Sequence, residues 1–285
     1  MHTHSCYSDG TCTPAEMIRL AEEAGLAAIA LCDHNTVRGL PDFLEAAKGS
    51  NVEAVPGIEF STEYRGKELH VLGLFVEPEH YPEINELLEE ALRRKEQSNI
   101  ALVERLKEQG FDLDYWDIKA GTPGGSVNRA VIGAYLVHHG FCKTMEEAFD
   151  NWLSLERGLY VPPRRPDAYE VIRFIKSIGA VAVLAHPFLN LDEDGLRTFL
   201  TEAEGLDGME VYYPRFSEIQ TALACQIAEE FSLVKSGGSD FHGTNKPDIR
   251  MGTGTGSLRV GLECLEELRK RKKADMPCTG KINLL

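Results

Sequence analysis

Residues of the kind that bind transition metals stand near both ends of this chain. His2-Thr3-His4 opens it, and Gly238-Ser239-Asp240-Phe241-His242 lies far downstream. Between them come Asp33-His34-Asn35 and Gly57-Ile58-Glu59, with His70 in Leu-His-Val-Leu-Gly and His186 in Leu-Ala-His-Pro. Neutral imidazoles and carboxylates are ligands of divalent transition ions. Ligand types scattered this widely cannot form a local finger. If they serve one site, the tertiary fold must assemble it.

The order of apolar runs indicates which fold does the assembling. His2–His4 is a strand stub. Thr13 then caps a helical run, with Pro14 in its first turn and Gly25 as its stop. Residues 26–33 (LAAIALCD) are a short continuous apolar run, as in a buried parallel strand. A helix near 39–48 follows, then strands at 52–59 and 68–76. There the alternation breaks. Residues 81–109 read as one long amphipathic helix, with Pro82 near its start and Gly110 after its end. A glycine-rich turn over 121–125 leads to helical patterns at 128–139 and 144–153. Past Pro162-Pro163 the alternation resumes, with helices at 166–178, 194–203 and 217–231 and strands at 180–185, 208–212 and 233–236. A last helix lies near 262–273. The expectation is an α/β protein: a (β/α) barrel of about seven strands formed by 1–77 and 161–285, with a helical insertion over 78–160.

Where the polar residues fall matters more than the strand count. Asp33-His34, Glu59, His186, Tyr212-Tyr213 and Asp240-His242 stand at or just past the carboxyl end of a strand. His70 is the partial exception, near the start or middle of its own. In closed parallel barrels the carboxyl rim aims side chains at one centre. His2 and His4 alternate on a strand and so face one way, and Asp240 and His242 repeat that spacing. Glu59 has two oxygens with which to bridge two ions. Asp9, in Ser-Asp-Gly, reads as a ligand or as a turn residue. Glu210 reads equally as a support for the ligands or as half of a structural ion pair. His80, His138 and His139 read as ordinary histidines, and Cys6, Cys12 and Cys32 as packed residues rather than ligands.

Composition removes several classes. A net charge of −15 argues against a general nucleic-acid binder. It leaves a small anionic substrate open, because bound cations supply their own positive charge. No apolar run reaches the roughly 18 residues of a membrane span. Seven cysteines form no CxxC pair, and the first residues do not read as a signal peptide. Free thiols in the cytoplasm are the expectation.

The ordered set HTHS, SDG, CDHN, GIE, LHVLG, AHP, EVYY and GSDFHG resembles the PHP family, the polymerase and histidinol phosphatase domain of metal-dependent phosphoesterases. The likeness runs along the whole chain. It implies a distorted (β/α)7 barrel holding two or three divalent ions, with manganese, zinc and iron the usual metals. Carried over by motif, it implies that His2, His4, Glu59 and Asp240 hold a first ion. Glu59 would bridge to a second, held also by His70 and His186. Asp9, His34 and His242 would hold a third. The insertion resembles that of the small-molecule nucleotide phosphatases in the family. Those carry Arg-Pro-His, then Phe or Ile, Ala and Arg, where this chain reads Arg129-Ala130-Val131-Ile132-Gly133-Ala134. Arg129 matches the first arginine, but Val131 and Ala134 replace the histidine and the second arginine. The nucleotide substrate of those relatives is therefore not carried over with the fold.

The expected activity is hydrolysis of small phosphate esters, of nucleotides or of ribose and other sugars, cyclic phosphodiesters included. Water shared between two divalent ions is the expected nucleophile, since metal binding lowers its pKa by many units. His34 and His186 are candidate proton donors, beside a metal-bound water. Arg129 is the candidate phosphate anchor, because a guanidinium pairs with two oxygens at once. Arg164 and Arg165 are secondary candidates. Two readings from other classes stand beside this one: a metal-dependent C–N hydrolase of the amidohydrolase kind, and a non-catalytic metal-binding accessory module. Three ions suit a phosphoryl group better than a single carbonyl, and so complete a ligand set speaks against a degenerate module.

Overall fold

The computed structural model describes residues 1–122, 127–163 and 165–272. Two units separate by their internal contacts, Met1–Glu86 with Arg165–Leu285, and Leu87–Arg164. The first unit contains the sheet. Its strands are β1 (Ala28–Leu31), β2 (Glu53–Tyr64), β3 (Lys67–Leu74), β4 (Val181–Leu184), β5 (Gly208–Tyr212) and β6 (Val234–Gly237), and they lie side by side in that order. The chain's first residues join the two edges. Thr3 bridges in parallel to Leu31 on one side and Phe241 on the other. Asp240 N donates to His2 O and Cys32 N to Thr3 O, both at 2.8 Å. The His2–His4 stub therefore acts as a seventh strand and closes the sheet into a distorted barrel.

The barrel is not all parallel. β1–β2, β4–β5 and β5–β6 pair in parallel, but β3 runs antiparallel to both β2 and β4. The cause is local. Tyr64 pairs with Lys67, leaving only Arg65 and Gly66 to turn the chain, and both have positive φ (49° and 76°). Two residues with positive φ make a tight hairpin, whereas a parallel crossover needs a dozen or more. Reversal puts the early part of β3 at the rim where the other strands end. That accounts for His70, which lies opposite Ser61 on β2.

Helices of this unit begin where side chains can satisfy their free N–H groups. Thr13 and Glu16 form a capping box at the start of α1 (Pro14–Glu23). α2 covers Leu40–Ala46. Most strand residues are buried, and all four residues of β4 are inaccessible. Ala30, Val55, Leu72, Val181 and Val183 share one apolar cluster. Each fully buried valine or leucine side chain among them contributes about 1.5–3 kcal/mol.

Helix α3 (Tyr81–Glu108) carries the chain into the second unit. That unit is helical, with α4 (Tyr115–Ala120), α5 (Arg129–His138) and α6 (Met145–Ala148), the last continuing as a π-helical turn over Phe149–Leu153. It has a core of its own, including Leu102, Val103, Leu106, Ile132, Leu136 and Leu153. The chain then returns to the first unit through α7 (Ala168–Ser177), α8 (Glu193–Glu202), α9 (Glu218–Glu230) and α10 (Leu262–Arg269). Among the described residues no helix is long and apolar enough to cross a membrane.

Candidate metal centre

Glu59, fully buried near the middle of β2, is the hub of the rim. Its Oε2 lies 3.2 Å from His2 Nε2, 3.1 Å from His4 Nε2 and 3.1 Å from His34 Nδ1. Its Oε1 lies 2.9 Å from His70 Nδ1 and 3.0 Å from His186 Nε2. Backbone pairing sets these approaches. His34 bridges to Glu59 in parallel just past β1. His70 is two residues before Leu72, which pairs with Glu59, so both side chains share one face of the sheet. Asp240 Oδ1 sits 3.3 Å from His4 Nε2, 3.7 Å from His2 Nε2 and 3.4 Å from His242 Nδ1. Asp9 Oδ1 reaches His242 Nε2 at 3.2 Å and His4 Nδ1 at 3.6 Å.

Among the described residues, four overlapping groups offer donor atoms close enough to hold a metal ion. They are His4-Asp9-His34-His242, His2-His4-Asp240, His2-Glu59-His186 and His34-Glu59-His70. Together they contain nine residues, the same nine that the sequence motifs single out. The grouping differs in detail: His4 also joins Asp9, His34 and His242, and His2 also joins Glu59 and His186. No cysteine belongs to any group.

The donor set suits cations. His4 Nδ1, His34 Nδ1 and Glu59 Oε2 are buried and make no hydrogen bond, an arrangement that buried polar atoms rarely tolerate. At three of the imidazoles, protons compete with metal. Burial opposes a charge on His4, but the neighbouring carboxylates of Asp240 and Glu59 outweigh it and raise its pKa to about 9. Burial is likewise overcome at His70, where Glu59 and then Glu68 raise the pKa to about 10. His2 is also raised, against burial, by Glu59, Glu210 and Asp240. Burial wins at His34, whose pKa falls to about 3. Glu59 is held well below its ordinary value, against burial, by the imidazoles of His34, His2 and His70.

The PHP domain profile matches residues 1–160, more than half of the chain. The chain belongs to the PHP domain family. A 5'-3' exoribonuclease from Haemophilus influenzae is 32% identical over 245 residues, covering 85% of this chain and 89% of the relative. A phosphoribosyl 1,2-cyclic phosphate 1,2-diphosphodiesterase from Eggerthella lenta is 31% identical over 252 residues, covering 85% of this chain and 93% of the relative. Among solved structures, a protein from Bifidobacterium adolescentis proposed to be a metal-dependent phosphoesterase superposes with a TM-score of 0.79 at 27% identity, covering 96% of each chain. This PHP domain protein is a metal-dependent phosphoesterase, which sets aside both the C–N hydrolase and the accessory module.

Behind the PHP rim stands a layer of supports that the motifs only partly disclosed. Glu210 on β5 is fully buried, and both its oxygens are used. Oε1 accepts from His2 Nδ1 at 3.1 Å, and Oε2 accepts from the backbone N of His186 at 2.9 Å. A carboxylate only accepts, so the His2 nitrogen that faces Glu210 keeps a proton, which leaves Nε2, facing Glu59 and Asp240, as the nitrogen that would bind an ion. Of the two readings left open for Glu210, this geometry is that of a support. Asp33 organises the Asp9 loop, accepting from Ser5 N at 2.7 Å, Ser5 Oγ at 2.6 Å and Ser8 Oγ at 2.7 Å. Tyr213 Oη donates to Asp240 Oδ2 at 2.9 Å. His186 and Asp240 both have positive φ, 27° and 52°, a strained backbone held by its surroundings.

The candidate anchors divide between the units. Arg165, in the barrel unit, pairs with Glu68 at 2.8 Å, and Glu68 Oε1 in turn faces His70 Nε2 at 3.2 Å. Arg129, in the helical unit, lies over the Tyr160 ring at 4.4 Å and donates to Leu153 O at 3.3 Å. Arg164 lies outside the described residues.

Proposed function

We propose that this protein hydrolyses phosphate esters of nucleotides or of ribose and related sugars, cyclic phosphodiesters included, with two or three divalent ions held at the barrel rim. One observation carries the reading: nine imidazole and carboxylate side chains, spread from residue 2 to residue 242, meet in four overlapping groups around Glu59. In this reading His2, His4, Glu59 and Asp240 hold a first ion, Glu59, His70 and His186 a second, and Asp9, His34 and His242 a third. Nitrogen and oxygen donors without sulfur suit manganese, iron or zinc. Such ions, when bound, acidify a water and neutralise phosphoryl oxygens.

The chain's own groups do the rest. Glu210 keeps the proton of His2 away from the cluster, Asp33 holds the Asp9 loop, and Tyr213 turns Asp240 so that Oδ1 faces inward. His34 and His186 both aim ring nitrogens into the cluster, which favours a holding role over proton donation for each. Arg165, partly exposed and one carboxylate away from His70, suits a phosphate contact in the barrel unit. Arg129 is kept as a second candidate on the strength of the family motif whose first arginine it matches. Six described cysteines outside any disulfide support a reducing, cytoplasmic setting.

A screen for phosphate release tests the reading, run with manganese over nucleoside monophosphates, bisphosphates, cyclic phosphates and sugar phosphates. Turnover of at least one ester is expected, with at least two equivalents of divalent metal in the purified protein. His2→Ala and Asp240→Ala should abolish it while leaving the thermal melt cooperative. Undiminished turnover by either variant refutes the mechanism. A second reading, stepwise removal of nucleotides from the 5' end of an RNA, is favoured by the likeness to the Haemophilus exoribonuclease. An RNA oligonucleotide in the same screen separates the two.

A further inference from the structure

The outer oxygen of Asp240 has two partners of different kinds. Buried Tyr213 donates to Oδ2 at 2.9 Å, and Lys246 Nζ donates to the same atom at 2.6 Å. The inner oxygen, Oδ1, faces His2, His4 and His242. For aiming Oδ1 inward the tyrosine suffices: it is neutral, short-reaching and buried. The lysine adds a full positive charge next to a cluster suited to cations, and like charges at this range oppose one another. Asp240 balances that charge, and an anionic oxygen at the rim could share it.

The placement of Lys246 is firm at its base and open at its tip. It follows the turn Gly243–Asn245, which is tied to the opposite side of the cluster. Thr244 N donates to Thr11 Oγ1 at 2.9 Å, and Asn245 Nδ2 donates to the carbonyl of Asp9 at 2.8 Å. The Lys246 side chain is nevertheless 30% exposed, while Asp240 is only 6% exposed. An ammonium has three donors. One engages Asp240, and the others are available on the solvent side of the rim.

We propose that Lys246 is a substrate-contacting residue, which uses Asp240 as its foothold and donates to an anionic oxygen of the phosphoryl group handled at the cluster. The inference rests on the phosphoesterase reading given above. Lysine suits the task as a compact point charge.

The test compares Lys246→Gln, which keeps a donor for Asp240 but no charge, with Lys246→Arg, which keeps both. Manganese-loaded protein is titrated calorimetrically with inorganic phosphate, its metal content is measured by elemental analysis, and KM and kcat are taken for the best ester of the screen. Losing a charge-assisted contact should weaken phosphate binding by Lys246→Gln roughly tenfold to a hundredfold and raise KM similarly. Metal content should stay at the wild-type level, and Lys246→Arg should retain most of the affinity. Wild-type phosphate binding by Lys246→Gln overturns the inference. So does a parallel loss of metal, which would mean that Lys246 acts only through Asp240. Wild-type protein that hydrolyses no ester and binds no phosphate overturns the functional reading and this inference together.

Discussion

Glu210→Gln removes one negative charge and one acceptor from the wall of the barrel and changes almost nothing else. Glutamine has the same shape, but only one of its two terminal atoms accepts. Glu210 serves two donors, His2 Nδ1 at 3.1 Å and His186 N at 2.9 Å. If the amide oxygen stays on the His186 backbone, the amide nitrogen faces His2 Nδ1 as a donor. His2 then moves its proton to Nε2, the nitrogen that faces Glu59 and Asp240, and its lone pair turns away from the cluster. If the amide flips, the strained peptide at His186 loses its acceptor instead. Either way one charge-assisted hydrogen bond is lost, a cost of about 1.5–3 kcal/mol. At about 1.4 kcal/mol per factor of ten, this predicts a roughly tenfold to hundredfold weaker affinity for divalent metal. Competition against a fluorescent chelator measures the affinity, and the melt of the metal-free variant checks the fold. A folded variant within about twofold of wild-type affinity would refute the reasoning.

Three further outcomes follow from the same geometry. His4 and His70, raised to about 9 and 10, carry protons in the metal-free protein near neutrality, so metal must displace them. Apparent affinity should therefore rise with pH up to that range, and calorimetry in buffers of different ionisation enthalpy should detect proton release; no release would contradict protonated His4 and His70. In the metal-free protein the same raised pKa values add stability below the ordinary imidazole range, about 6.5, that is lost as pH climbs through 9–10. Gly238→Ala should lose both metal and stability, because a Cβ there would lie 2.5 Å from His2 Cβ and closer still to the His2 backbone nitrogen. A variant with normal metal content and an unchanged melt would show that the stub can shift without cost.

Much of the barrel was legible because its signals are local. Thr13 with Glu16 marks the start of α1, and Ser217 with Gln220 forms a second capping box at the start of α9. Continuous apolar runs mark β1 and β4. Arg65-Gly66 is itself a hairpin signal, but a single glycine weighs little against an otherwise regular strand–helix alternation, so the reversal of β3 was missed. The short helix α4 was missed too, although Asp114 caps it through Trp116 N. Lys246 drew no notice because a lysine four residues past a histidine carries no periodic signal.

The residue types and their order along the chain already named a family, a barrel and a set of nine imidazoles and carboxylates. Side-chain chemistry and local periodicity are properties of the chain, so they can be read without a fold. Which atoms meet is a different question, because it depends on pairings between segments up to 238 residues apart, such as Thr3 with Phe241. Only the closed sheet decided that Glu59 sits at the hub, that an antiparallel strand delivers His70 to the rim, and that Glu210 supports His2 and His186. It also decided that Lys246 stands against the outer oxygen of Asp240. Each of these is a through-space distance set by how strands and loops pack side by side, and spacing along the sequence does not encode it.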